Sequence, residues 1–182
     1  PKSPKSPKSP KSPKSPKSLA VGWRLSSVSG WGVYGLNLTL QLLAHGRKPV
    51  LLLPPHKLSV GPEDEAKLAP LIARQRHLSE MLDKVGGHAF DFPVLHALRN
   101  DFLPGLEEQA VRGSRNVGVI FFEDTAFTQA GLARARDYDL IVTGSTWNAE
   151  ILARRGLTNV ANVFQGIDET LFRPGPDEAL YP

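Results

Sequence analysis

Beyond residue 18, short apolar runs alternate with stretches in which apolar residues recur every three or four positions. The runs predict buried strands, and the recurrence predicts helices, as with Val33, Leu36, Leu40 and Leu43. The strands are predicted at 20–25, 48–53, 92–98, 116–122, 140–143 and 159–164, and the helices at 32–45, 61–84, 128–136 and 145–155. This alternation predicts an α/β fold: a Rossmann-like parallel sheet with helices on both faces.

Punctuating residues mark the ends of several predicted helices. Gly46 and Gly156 stand where helices commonly end, and Ser145 is of a type that caps helix N-termini. Pro70 lies inside the second predicted helix, and proline lacks the N–H that an interior helical position donates. We therefore expect that helix to be kinked at Pro70 or divided in two.

The first 18 residues are six copies of Pro-Lys-Ser. Proline at every third position stops helix and sheet from propagating, and no apolar residue offsets the entropy of ordering. We expect residues 1–18 to be a disordered tail rich in polyproline II, and residues 19–182 to be one domain. The serines suit proline-directed kinases, and the lysines could hold nucleic acid or an anionic membrane. A solvated tail without a specific role is the alternative.

Composition excludes several kinds of site. The chain has 22 Lys and Arg against 18 Asp and Glu, but six of the basic residues are in the tail, so a nucleic-acid-binding body is not expected. It has no cysteine, and its five histidines show no metal-ligand spacing, so we expect no metal site. The apolar runs are too short to span a membrane, and no signal-peptide core follows the tail. A cytoplasmic protein, or a fragment of one because the chain starts at Pro1, is the expectation.

A glycine motif, Gly30-Trp31-Gly32-Val33-Tyr34-Gly35, matches G-x-G-x-x-G between the first strand and the first helix. Glycines there let the backbone approach a phosphate, which the N–H groups of the helix start can bind. A dinucleotide enzyme also needs an acid after the second strand, where this chain has Pro54-Pro55-His56-Lys57. His56 and Lys57 suit a 2′-phosphate, so an NADP-dependent oxidoreductase stays open. So does a purely structural role for the glycines, in packing the strand against the helix.

Polar side chains also follow two later strands. Glu123 and Asp124 come after the fourth, and Ser145 and Thr146 open the helix after the fifth. Carboxyl ends of parallel strands line the ligand crevice, so the acids could act as a base or bind sugar hydroxyls, and the hydroxyls could hold an anion. The structural alternatives are a helix-capping Asp124, a solvated Glu123, and a capping Ser145 with Trp147 in the core.

Three segments together resemble the N-terminal domain of GT-B fold glycosyltransferases of the family-4-like type (glycosyl transferases group 1). They are the glycine-rich loop and helix at 30–43, the strand–helix step at 139–150, and the segment 160–174. The last contains Gln165-Gly166-Ile167-Asp168 and Leu171-Phe172-Arg173-Pro174, similar to the family's N-G-V-D … F-x-P segment, with Gln165 in place of Asn. The resemblance does not extend to residues 57–112.

The resemblance implies a two-domain enzyme that moves a sugar from a nucleotide-sugar co-substrate to a sugar, lipid or protein acceptor, with no other cofactor. This domain would bind the acceptor, and a C-terminal domain, absent from this chain, would hold the nucleotide. We therefore expect the chain to be inactive alone. The implied cleft comprises Gly30, Trp31, Gly32, Tyr34, Glu123, Asp124, Ser145 and Thr146, with Glu123 and Asp124 as catalytic candidates and Gln165, Gly166 and Asp168 as the interdomain segment. A non-catalytic interaction module is a further alternative.

Overall fold

The computed structural model describes residues 18–85, 88–105 and 111–166. The elements along the chain are β1 (Ser18–Val21), α1 (Gly30–Ala44), β2 (Lys48–Leu51), α2 (Pro62–Val85), β3 (His88–Ala89), β4 (Val94–Leu98), β5 (Val111–Arg112), β6 (Asn116–Ile120), α3 (Gln129–Arg136), β7 (Leu140–Thr143), α4 (Thr146–Arg154) and β8 (Val160–Asn162). All six predicted strands are present, although most are shorter than predicted. The tail up to residue 17 lies outside the described residues.

Six strands form one parallel sheet in the order β2-β1-β4-β6-β7-β8. The predicted Rossmann-like α/β architecture is therefore confirmed. The order reverses between β1 and β4, because β1 leads through α1 to β2 on one side while β4 is followed by β6, β7 and β8 on the other. In open α/β sheets this reversal, at the carboxyl ends of the strands, is where ligands bind.

A second, two-stranded parallel sheet pairs β3 with β5. Each of its strands has two residues, which is too short to produce an apolar run or an alternating pattern. The sequence therefore did not predict this sheet.

Helices cover both faces of the six-stranded sheet. On one face Val119 of β6 packs in a cluster with Leu36 of α1. On the other face Ile120, the next residue, packs with Leu132 of α3 and Leu152 of α4. Because both faces are buried, the strands are continuous apolar runs rather than alternating ones, which is why the sequence pattern locates them well.

The helices end at the glycines that the sequence marked, but α2 differs from the prediction. Gly46 and Gly156 have φ of +67° and +79°, the left-handed conformation that ends many helices. However, α2 is one helix that continues through Pro70 and is not divided there. Pro70 is exposed, while Leu68 and Gln75 on the same helix are buried. Burial of the inward face thus holds the helix together across the missing hydrogen bond.

Candidate functional site

Two adjoining hollows lie along the carboxyl edge of the sheet. The first, of about 490 Å³, lies between the exits of β1 and β4, and its lining includes Trp23, Arg24, Ser29, Trp31, Gly32 and Arg99. The second, of about 470 Å³, is lined by Asn100, Phe121, Phe122, Glu123, Asp124 and Asn148. We call them the cationic hollow and the acidic hollow. The ring centroids of Trp31 and Phe121, one from each hollow, are 5.0 Å apart, so the two hollows adjoin across these rings, and we call them together the cleft.

The cationic hollow takes its charge from two arginines on different strand exits. Arg24 Nη1 donates to the carbonyl of Pro54 at 3.1 Å, and Arg99 Nη2 donates to Asp101 Oδ2 at 3.2 Å. Asp101 offsets part of the charge of Arg99. Both arginines line the hollow together with Ser29 and Gly32 at the start of α1, whose dipole adds partial positive charge. The hollow therefore suits a phosphate or carboxylate group.

The start of α1 is capped by its own loop. Ser29 Oγ accepts a hydrogen bond from the Gly32 N–H at 3.2 Å. The N–H groups of Gly30 and Trp31, in the first turn, precede the first i→i−4 bond, which the Val33 N–H makes to the Ser29 carbonyl at 2.8 Å. These N–H groups lie next to Ser29 and Gly32, which line the cationic hollow, and the anion-binding role of the turn stays a prediction.

The three glycines of the motif have different surroundings. A Cβ on Gly30 would meet nothing within 4 Å. A Cβ on Gly32 would lie 2.7 Å from both the Ser26 nitrogen and Ser29 Oγ, and one on Gly35 would overlap the Trp23 indole. The structural role in strand–helix packing thus holds for Gly32 and Gly35, whereas Gly30 leaves open space. This weakens the dinucleotide alternative, in which the second glycine leaves room for the pyrophosphate.

An aromatic cluster forms the wall between the two hollows. Trp23 is stacked on Tyr34 with centroids 5.9 Å apart, and its Nε1 donates to the Trp31 carbonyl at 2.9 Å. Tyr34, which the resemblance placed in the cleft, stands against Phe121 with centroids 5.5 Å apart, and burial raises the pKa of its phenol. Tyr34 therefore supports Trp31 and Phe121 from the core side.

The acidic hollow contains Glu123 and Asp124, which the sequence predicted near the site, and both are exposed. Asp124 Oδ1 accepts from the Ala126 N–H at 2.8 Å and so closes a turn, while Thr128 is the residue that caps α3. The structural alternative in which Asp124 caps the helix is therefore wrong. Glu123 is the better placed of the two to contact a ligand, because the Asp124 carboxylate already serves the turn.

The hydroxyl groups of Ser145 and Thr146 form hydrogen bonds to other residues of the domain. Ser145 caps α4: its Oγ accepts from the Asn148 N–H at 3.1 Å and donates to Asn148 Oδ1 at 2.7 Å. Thr146 Oγ1 accepts from Asn162 Nδ2 at 3.3 Å. Trp147, expected in the core by the capping alternative, is 48% exposed. The helix instead turns Asn148 inward, where its Nδ2 donates to the Phe122 carbonyl at 3.1 Å.

The segment that the resemblance assigns between two domains is described only in part. Gln165 and Gly166 are exposed beyond β8. Asp168 and the remainder of the segment to Pro174 lie outside the described residues.

Arg24, Arg99 and Asn100 line the cleft but were not singled out in the sequence. Each follows a strand on one side of the reversal: Arg24 comes three residues after β1, and Arg99 and Asn100 come directly after β4. Residues at the carboxyl end of any parallel strand can line the ligand crevice. The sequence analysis considered only strands followed by a motif, and inspection of every predicted strand would have found Arg99 and Asn100.

Comparison of the chain with protein-family models, with curated proteins and with solved structures finds no match. Within the described residues, no cluster of three or more His, Asp and Glu side chains is arranged to hold a metal ion. None of the helices described there combines the length and apolarity needed to cross a bilayer.

Proposed function

We propose that this domain is the acceptor-binding half of a GT-B glycosyltransferase. In this proposal the diphosphate of a nucleotide-sugar reaches the cationic hollow and the acceptor occupies the acidic hollow. The observation that carries the proposal is the juxtaposition of opposite charges in one cleft at the reversal point of the sheet, with Arg24 and Arg99 on one side of Trp31 and Phe121, and Glu123 on the other.

Glycosyl transfer needs both charges. The bond between the anomeric carbon and the diphosphate breaks, and the diphosphate leaves with the bonding electron pair. Positive groups and helix N–H donors stabilise that developing charge. The acceptor oxygen bonds to the anomeric carbon and loses its proton to a base. Glu123 can bind that hydroxyl, and the leaving diphosphate or Glu123 can take the proton.

The sequence resemblance supports the same assignment from an independent direction, since the glycine loop and the strand–helix step that carry it border this cleft. In the complete enzyme a second domain would close over the cleft and supply most of the nucleotide contacts.

The proposal is tested by calorimetric titration with a panel of nucleotide-sugars and their nucleoside diphosphates, with NADPH as the comparison. We expect diphosphate-dependent binding that the Gly30→Val variant weakens by about tenfold or more, because a branched side chain in the first turn of α1 would obstruct the N–H groups that the proposal assigns to the diphosphate. Gly61→Val is the matched control, since a Cβ at Gly61 also meets nothing within 4 Å. Binding of NADPH but of no nucleotide-sugar would overturn the proposal in favour of an oxidoreductase.

A further inference from the structure

The turn at residues 99–103, which we call the β4 turn, contains a bulky residue in a conformation that favours glycine. Phe102 has φ of +59°, in the left-handed region, where a bulky side chain is strained. The turn borders both hollows, since Arg99 lines the cationic hollow and Asn100 the acidic one. Strained residues persist only where their surroundings hold them, and they cluster at ligand sites. We propose that the β4 turn positions Arg99 to bind a diphosphate, and that Arg134 of α3 is the positioning residue that holds the turn. This inference rests on the proposed function, which supplies the diphosphate.

Hydrogen bonds hold both peptide groups that flank Phe102. In the peptide group before it, the Asp101 carbonyl accepts from Arg134 Nε at 2.9 Å and from Arg134 Nη2 at 2.7 Å. The N–H of that group, which belongs to Phe102, donates to the Arg99 carbonyl at 2.8 Å. In the peptide group after it, the Leu103 N–H donates to Asp101 Oδ1 at 3.0 Å. Because φ and ψ of Phe102 set the rotation between these two groups, the hydrogen bonds hold the residue in its strained conformation.

The side chain of Phe102 anchors the same turn in the core. It is fully buried, and its ring centroid lies 5.3 Å from that of Phe127. The Phe102 carbonyl also accepts from Tyr138 Oη at 3.4 Å. The core therefore fixes the position of Phe102, while Arg134 fixes the orientation of the peptide group that leads into it.

The Arg99 side chain depends on this arrangement through Asp101. The Asp101 carboxylate accepts from the Leu103 N–H with Oδ1 and from Arg99 Nη2 with Oδ2, the latter at 3.2 Å. Rotation of the peptide group after Asp101 would relieve the strain at Phe102, but it would also move this carboxylate and the guanidinium that it holds. The two donors of Arg134 belong to one rigid fork and oppose that rotation. Arg134 lines a separate cavity of about 220 Å³ and is not among the described residues that line the cleft, so it acts on the ligand through the turn.

The test is a double-mutant cycle, read by calorimetric titration of the full chain with inorganic pyrophosphate, a diphosphate without nucleoside or sugar. We expect Arg99→Gln to weaken pyrophosphate binding about tenfold, and Arg134→Gln to weaken it about threefold or more. The double variant should bind no more weakly than Arg99→Gln, because Arg134 acts through Arg99. Arg136→Gln is the matched control: it removes the same charge from the last turn of the same helix at an exposed position, and it should change binding less than about twofold.

The inference is overturned if Arg134→Gln binds pyrophosphate as the original chain does, or if the two losses multiply in the double variant, because Arg134 would then act independently of Arg99. It is also overturned if the original chain binds no pyrophosphate. The nucleotide-sugar titrations judge the proposed function separately: pyrophosphate binding that follows the cycle, without binding of any nucleotide-sugar, would overturn the glycosyltransferase proposal and leave the role of Arg134 standing. Circular dichroism confirms that each variant is folded. If Arg134→Gln does not fold, Arg134→Lys, which keeps the charge without the fork, replaces it in the cycle.

Discussion

At the scale of single residues, the glycines of the motif stand in two different environments. Gly32 is required by the protein itself, because Ser26 and Ser29 fill the space where a Cβ would stand. We expect Gly32→Ala to lower the free energy of unfolding by about 1–3 kcal/mol, the usual cost of overpacking. Gly30→Ala, in open space at the start of the same helix, should change it by less than about 1 kcal/mol. Urea unfolding of the two variants makes the comparison, and equal losses would contradict it.

His96 shows how one buried side chain can make stability depend on pH. It is 1% exposed, and its Nε2 lies 3.2 Å from Asn116 Oδ1. That oxygen also accepts from the Gly113 N–H at 3.0 Å, which identifies it as the acceptor and Nε2 of His96 as the protonated nitrogen. Burial, together with the charge of Arg112, holds the pKa of His96 below its ordinary value of 6.5, although the bond to Asn116 acts in the opposite direction.

The direction of the pH dependence follows from this pKa. In the unfolded chain the histidine takes up a proton near pH 6.5, whereas in the folded protein it does so only at lower pH. The stabilisation is therefore present above pH 6.5 and declines as the pH falls, by at most about 1.4 kcal/mol per pH unit. We expect His96→Gln, which cannot titrate, to flatten this decline between about pH 7.5 and 5.5 in urea unfolding. An equal flattening by His77→Gln, at an exposed position on α2, would refute the assignment.

At the scale of elements, the start of α4 is fixed by a capping network. Ser145 Oγ satisfies the Asn148 N–H and also holds the Asn148 side chain. We expect Ser145→Ala to lower the free energy of unfolding by about 0.5–2 kcal/mol, measured by urea unfolding. Because this hydroxyl serves the helix, nucleotide-sugar affinity measured on the folded variant should not change. If Ser145→Ala kept the free energy of unfolding of the original protein but bound the nucleotide-sugar more weakly, Ser145 would instead contact the ligand.

The elements themselves were largely predictable. Strands buried on both faces are apolar runs, and residues such as Gly46, Gly156 and Ser145 mark helix ends by conformational preferences that act locally. Local sequence patterns do not predict features that depend on contacts between residues far apart in the chain. Whether α2 divides at Pro70 depends on burial of Leu68 and Gln75 against the rest of the fold, and whether Tyr34 faces the cleft depends on Trp23 and Phe121. None of these contacts is visible in the neighbouring sequence.

At the scale of the whole molecule, the order of the strands decides where the cleft forms. Ligand-binding features gather at the carboxyl edge because the reversal between β1 and β4 leaves a crevice there. Arg24 and Arg99 follow different strands, and only the strand order shows that the exits of β1 and β4 are adjacent.

The same topology leaves β8 as an edge strand followed by exposed apolar residues. Val163 and Phe164 are 55% and 72% exposed, and the Val163 N–H still donates to the Thr143 carbonyl at 2.9 Å, so the backbone remains strand-like beyond β8. Exposed apolar residues on an open strand edge favour association between chains. We therefore expect concentration-dependent self-association in sedimentation velocity experiments.

The variant Val163→Lys/Phe164→Lys should shift that association to higher concentration, because charged residues on an edge strand oppose pairing. The control Val28→Lys/Met81→Lys introduces the same two charges at positions that are 68% and 57% exposed but lie away from β8. If both variants reduce association equally, added charge is the cause and the β8 edge has no special role. If only Val163→Lys/Phe164→Lys reduces association, the exposed strand edge from β8 to Gln165 is the surface through which the chains associate. In the proposed enzyme, the second domain would cover this surface.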